Sequence, residues 1–184
     1  TTQRATPAPV TGLTDAVGIA VGWLHACAIR RGGTGVCWGS NAQGQLGDGT
    51  NTNRTTPVAV PGLTNVAEIR ASDFTTCARL TDGAVRCWGY NYYGEVGNGT
   101  MINTTSPGAV TGLTTAAQID AGSNYFCARL RNGTTQCWGR NLELQLGDGF
   151  RTNRSAPYPV QASSATASME VAQSGFVDMQ SDYF

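Results

Sequence analysis

Apolar and polar residues alternate along this chain in short runs and do not recur at every third and fourth position. Around the first third of the chain and beyond, Pro57–Val60 forms one extended segment, Asn65–Ala71 is a short apolar stretch, and Thr75–Leu80 and Ala84–Gly89 alternate. Alternation with period two places successive side chains on opposite faces of a strand. Gly, Pro and Asn interrupt every window before three helical turns accumulate, so no amphipathic helix is expected. The middle two strands are joined by Thr81-Asp82-Gly83. A three-residue loop closed by glycine suits a type I turn followed by a bulge residue of positive φ. That loop sets the register: residue 80 faces 84, and Cys77 falls opposite Cys87.

The same arrangement recurs every fifty residues without insertion. Pro7, Pro57, Pro107 and Pro157 share a phase, as do Val10, Val60, Val110 and Val160, and Ile19, Ile69 and Ile119. Trp38, Trp88 and Trp138 each follow a cysteine, and Asn41, Asn91 and Asn141 stand three residues on. Four short strands in about fifty residues is the footprint of a propeller blade. The predicted organisation is a leading strand of a part-blade at 1–13, repeat units at 14–63, 64–113 and 114–163, and a divergent tail or part-blade at 164–184. The fold class is therefore all-β, with propeller-type blades in an incomplete ring.

The six cysteines, at 27, 37, 77, 87, 127 and 137, follow the same period in pairs ten apart. Facing cysteines on neighbouring antiparallel strands can bridge, which predicts disulfides Cys27–Cys37, Cys77–Cys87 and Cys127–Cys137. Three pairs of buried free thiols are the alternative. Zinc is disfavoured, because a closed site groups four Cys or His ligands and the chain has one histidine, His25. Three local disulfides imply an oxidising, extracellular or cell-surface compartment. The start at Thr1, without methionine, fits a mature chain whose signal peptide has been removed.

Composition narrows the function classes. Acidic and basic residues balance at twelve each, and every basic residue is arginine. No field is present to draw in nucleic acid, and no apolar run is long enough for a membrane span. Gly-x-Ser-x-Gly elbows, phosphate loops and His-Glu-x-x-His are absent, so neither an enzyme nor a cofactor is expected.

The run Cys37-Trp38-Gly39, Asn41, Gly44-Gln45-Leu46-Gly47-Asp48-Gly49-Thr50, then Arg54 and Pro57, resembles the repeat of the regulator of chromosome condensation family, in a bacterial-like secreted version. His25-Ala26-Cys27-Ala28 fits the same repeat, and the resemblance runs from residue 1 to about 160. It implies a β-propeller, usually seven-bladed, in which each blade donates strands to its neighbour. It implies little about function. The founding eukaryotic member exchanges nucleotide on the small GTPase Ran, others bind diverse proteins, and a bacterial relative inhibits β-lactamases through its propeller face. The disulfide pattern argues against the nuclear role. Three blades cannot close a ring, so the chain is expected to be a fragment, to close a ring as an oligomer, or to add head to tail as a fibre.

Candidate residues divide by regularity. Trp38, Trp88 and Trp138 are expected between blades, because a tryptophan at one fixed blade position is a packing residue. Trp23, Phe74 and Tyr125, close in repeat phase, and Tyr90, Tyr92 and Tyr93, crowded in one loop, are irregular and hence the interface candidates. His25 has Thr75 and Tyr125 at its phase and is expected at a strand end on the surface. Asp48 and Asp148 with Asn51 and Asn53 invite a calcium reading, but Asn98 replaces the acid in the second repeat and a full oxygen cage is not visible. A turn role is expected for the two aspartates, and Arg54 and Arg154 are expected to pair with acidic or carbonyl groups. Sequons at Asn53, Asn98, Asn103, Asn132 and Asn153 are candidate glycosylation sites.

These readings converge on a non-enzymatic, secreted structural or interaction protein that associates with itself through open blade ends into an extracellular assembly such as a filament. The alternative is a protein- or glycan-binding propeller module that acts through its loops.

Overall fold

A computed structural model describes residues 5–161. Twelve strands form three four-stranded antiparallel sheets, and each sheet takes its strands consecutively from the chain. The first blade contains β1 (Ala16–Val21), β2 (His25–Arg30), β3 (Gly35–Gly39) and β4 (Arg54–Ala59). β5 (Val66–Ala71), β6 (Thr75–Leu80), β7 (Val85–Gly89) and β8 (Thr104–Ala109) form the second. β9 (Ala116–Gly122), β10 (Tyr125–Leu130), β11 (Thr135–Gly139) and β12 (Arg154–Pro159) form the third. The sheets stand side by side as an open arc, with β1, β5 and β9 adjacent along its inner side.

One expectation is corrected. Strand donation between blades does not occur among the described residues, because each sheet is complete from one continuous segment. Residues 5–13 carry no strand. They share the phase of β4 and β8, which pair with β3 and β7 of their own blades. No such strand of the described chain lies beside residues 5–13, and an unpaired extended segment has no ladder to hold it. The tail expected at 164–184 lies outside the described residues.

In each blade the hairpin joining the second and third strands turns at a glycine of positive φ, at Gly33, Gly83 and Gly133. The resulting register sets Cys27 opposite Cys37, Cys77 opposite Cys87 and Cys127 opposite Cys137. All three pairs are disulfides, with Cα atoms 4.0–4.1 Å apart.

Apolar side chains gather between blades. Ile29, Leu46, Val60, Leu63, Ile69 and Trp88 form one cluster between the first and second blades. Val96, Val110, Leu113, Ile119, Phe126 and Trp138 repeat it between the second and third. Each indole reaches back to the preceding blade: Trp88 Nε1 donates to the Gln45 carbonyl at 3.0 Å and Trp138 Nε1 to the Glu95 carbonyl at 2.8 Å. Both tryptophans are fully buried, whereas Trp38, at the same phase on the open face of the first blade, is half-buried.

Candidate functional site: an aromatic ridge on two blades

Three short connections lie in a row at one end of the blades: residues 22–24, 72–74 and 123–124. Hydrogen bonds lace them together. Trp23 N–H donates to the Asp73 carbonyl at 3.1 Å, and Ser72 Oγ donates to the Gly122 carbonyl at 2.7 Å. Asp73 Oδ2 accepts from Ser123 Oγ at 2.7 Å and from Asn124 Nδ2 at 2.8 Å. The loop after β7 joins the row, since Tyr90 N–H donates to the Phe74 carbonyl and Thr75 Oγ1 to the Tyr90 carbonyl, at 2.9 and 2.6 Å.

This framework carries a continuous run of five rings. Trp23 and Phe74 have centroids 5.3 Å apart, Phe74 and Tyr90 are 6.4 Å apart, and Tyr90 lies 6.3 Å from Tyr92 and 6.4 Å from Tyr93. Tyr92 and Tyr93 meet edge to face at 5.0 Å. Edge and offset contacts of this kind hold aromatic rings without burying them completely. Trp23 remains 71% and Tyr92 65% exposed, so the ridge presents much ring surface to solvent. Tyr125, expected in the same group, stands apart: it begins β10 half-buried, with its ring close over Gly122.

Under the ridge lies Glu95, fully buried, where the first and third repeats have Gln45 and Gln145. Its Oε2 accepts from Tyr93 N–H at 2.8 Å, and its Oε1 has no partner. Burial raises its carboxyl to about 7, against backbone hydrogen bonds that favour the charged form. The Tyr90 phenol is also raised, first by burial and then by Glu95 and its neighbouring tyrosines.

His25 is not at the surface. It is 4% exposed, with Nε2 2.8 Å from Thr76 Oγ1 on the second blade, and burial lowers it to about 4. The preceding Gly22 leaves room for the imidazole to fold inward, since a Cβ there would stand 2.3 Å from His25 Cε1. A neutral ring sealed between blades has no access to substrate.

Asp48 and Asp148 organise the loop after the third strand of their blades. Asp48 accepts from Thr50 N–H and Asn41 Nδ2 at 3.0 Å and pairs with Arg54 at 2.7 Å. Asp148 pairs with Arg154 at 2.6 Å. Burial alone would raise both carboxyls, but these donors hold each below its ordinary value. In the second repeat Asn98 and Thr104 replace acid and base together, a paired change that marks the ion pair in the sequence. Asn53, Asn103 and Asn153 accept from the backbone N–H of Asn41, Asn91 and Asn141 at 2.7–2.9 Å. Asn98 and Asn132 close turns with Thr100 and Thr134. Among the described residues no group of three or more His, Cys, Asp or Glu could hold a metal ion.

Repeat register, blade architecture and inter-blade tryptophans together define a propeller of the chromosome-condensation repeat class. Profiles of the Regulator of chromosome condensation (RCC1) repeat match residues 16–45 and 66–95, and residues 37–79 and 82–129. The chain belongs to this family. Yeast RCC1 (Prp20), in its crystal structure bound to Kap60, is similar over 83% of this chain and 38% of its own, at 23% identity and a TM-score of 0.73. Prp20p of Saccharomyces cerevisiae, in a structure described with its binding to Gsp1p and histones, matches over 83% of this chain and 40% of its own, at 23% identity and a TM-score of 0.72. Human WBSCR16 matches over 80% and 40%, at 22% identity and a TM-score of 0.70. The chain thus spans about two fifths of these proteins. None of the curated proteins matches it in sequence.

Proposed function

We propose that this chain is a non-enzymatic, extracellular interaction module that captures a protein partner through the Trp23–Phe74–Tyr90–Tyr92–Tyr93 ridge. The carrying observation is the exposure of Trp23 and Tyr92 at the ends of a ridge whose backbone is tied down by hydrogen bonds. Large aromatic side chains held in place before binding lose little conformational entropy on contact, and such residues are enriched at binding hot spots. Protein binding by relatives supports the reading: the solved yeast protein is bound to Kap60. The disulfides support an oxidising compartment.

Affinity capture from the extracellular fraction of the source cells tests it. The native chain should retain a protein that a Trp23→Ala, Tyr92→Ala variant of unchanged melting temperature loses at least tenfold. Equal retention by the two would reject the ridge as the binding surface.

Self-association through the open ends, into a filament, is the second reading. It is favoured by the apolar surface of the first blade, where Ile19 and Val21 are 63% and 68% exposed.

A further inference from the structure

Glu95 makes a bond that both neighbouring repeats make without a charge. Its Oε2 accepts from Tyr93 N–H at 2.8 Å, and the neutral Oε1 of Gln45 and Gln145 accepts from Gln43 N–H and Glu143 N–H, each at 2.9 Å. In every repeat the bond braces the same turn, which Gly44, Gly94 and Leu144 close by donating N–H to the Asn41, Asn91 and Asn141 carbonyls. The slot has no partner for a second polar atom, since Gln45 Nε2 and Glu95 Oε1 are both buried without one. A neutral amide tolerates that at modest cost, whereas an ionised oxygen left unpaired in a buried site costs far more. The turn therefore does not need an acid. What Glu95 adds to it is a charge that can come and go.

The surroundings of Glu95 oppose that charge. The Trp138 indole donates to its carbonyl at 2.8 Å, which encloses the residue between the second and third blades. The charged and titratable groups that face it are Asp73, on the connection between β5 and β6, and Tyr90, in its own loop with Tyr92 and Tyr93. Among the described residues no cation pairs with it. Tyr93 links this slot to the aromatic ridge. Its amide is the group that Glu95 holds, and its ring meets Tyr92 at 5.0 Å and Tyr90 at 6.4 Å.

We infer that Glu95 is a proton-operated latch on the aromatic ridge: protonated, it holds the Tyr92–Tyr93 turn in place, and ionised, it leaves its slot for water and releases that turn. Burial, with the Asp73 charge adding to it, raises the carboxyl to about 7 from an ordinary 4.5. Its contribution to the closed turn is therefore complete below pH 4.5 and is lost as pH rises through 7. The ridge is rigid in mildly acidic surroundings and loosens in alkaline ones. The consequence for capture of a protein rests on the ridge being the binding surface, whereas the latch itself does not.

Residue-resolved amide hydrogen exchange on the whole chain, corrected for the chemical exchange rate, tests the latch without any partner. Between pH 6 and pH 8 the protection of the Tyr93 amide should fall about tenfold, the ratio expected for a carboxyl that titrates at about 7 in the closed turn and at 4.5 in the open one. The Gln43 amide, held by a neutral side chain, should keep its protection over the same interval. Glu95→Gln copies both neighbouring repeats and so should fold, and it should leave Tyr93 equally protected at the two pH values. Tyr93 protection in the native chain that is the same at pH 6 and pH 8 would overturn the latch. A Glu95→Gln variant that loses protection as the native chain does would overturn it as well. Either failure concerns Glu95 alone, because capture by the ridge is tested separately with the Trp23→Ala, Tyr92→Ala variant.

Discussion

Asn41, Asn91 and Asn141 are buried completely, and each accounts for its amide within its own loop. Asn41 Oδ1 accepts from Leu46 N–H at 3.0 Å while Nδ2 donates to the Thr50 and Thr52 carbonyls at 2.9 and 3.1 Å. Satisfied in this way, a buried polar group costs little. Two buried titratable groups, His25 and Glu95, are less well served, each keeping one side-chain atom without a partner. Their effects on stability oppose each other. His25 titrates at about 4 in the fold against 6.5 ordinarily, so its contribution is complete above pH 6.5 and is lost as pH falls towards 4. Glu95 titrates at about 7 against 4.5, so its contribution is complete below pH 4.5 and is lost as pH rises through 7. Each is worth up to about 3 kcal/mol by linkage. Urea unfolding of Glu95→Gln should accordingly show a gain on the order of 1–3 kcal/mol at pH 8 and almost none at pH 4. His25→Thr, which copies the second repeat, should remove the loss on acidification between pH 6.5 and 4. A Glu95→Gln gain that is equal at both pH values would show that its charge is not the cause.

At the scale of elements, the strands and their pairing were legible because two local signals agreed. Alternation located Thr75–Leu80, and the glycine closing residues 81–83 counted Cys77 onto Cys87, as in the observed register. The outer strand was read as Pro57–Val60 but runs Arg54–Ala59, because the ion pair to Asp48 and a bulge opposite Cys37–Gly39 extend it past any apolar pattern. His25 misled for a related reason: burial there is decided by Thr76, fifty-one residues away, and by Gly22, neither of which alters the local pattern. The aromatic candidates were legible as irregularities of the repeat, but their assembly into a ridge depends on the spacing of two blades, and Tyr125 falls outside it. The regular tryptophans show how much the neighbouring blade contributes. Trp88→Ala should cost about 3–5 kcal/mol, as for other buried aromatics, whereas Trp38→Ala should cost about 1 kcal/mol or less. Chemical denaturation of the two variants checks the difference, and equal losses would contradict the assignment of Trp38 to an open face.

As a whole molecule, the chain is a run of nearly identical units in which each blade is covered by its neighbours, so stability accumulates at interfaces and the ends differ from the middle. Gly44 and Gly94 are glycine because a Cβ at either would stand 2.7 or 2.5 Å from the backbone of the next blade's outer strand, and Leu144 takes their place in the third repeat. The same contrast singles out the ridge, since Tyr90, Tyr92 and Tyr93 replace Ser40, Ala42 and Gln43 of the first repeat. None of the five ridge rings is among the most fully buried side chains of the core. Recognition of a protein through these rings is the central claim, and site-specific photo-crosslinking tests it most directly. A photoreactive amino acid in place of Tyr92 should crosslink the captured partner, while the same group in place of Tyr158, an exposed aromatic on the third blade, should not. Crosslinks from position 158 with none from position 92, while the partner remains bound, would contradict the account.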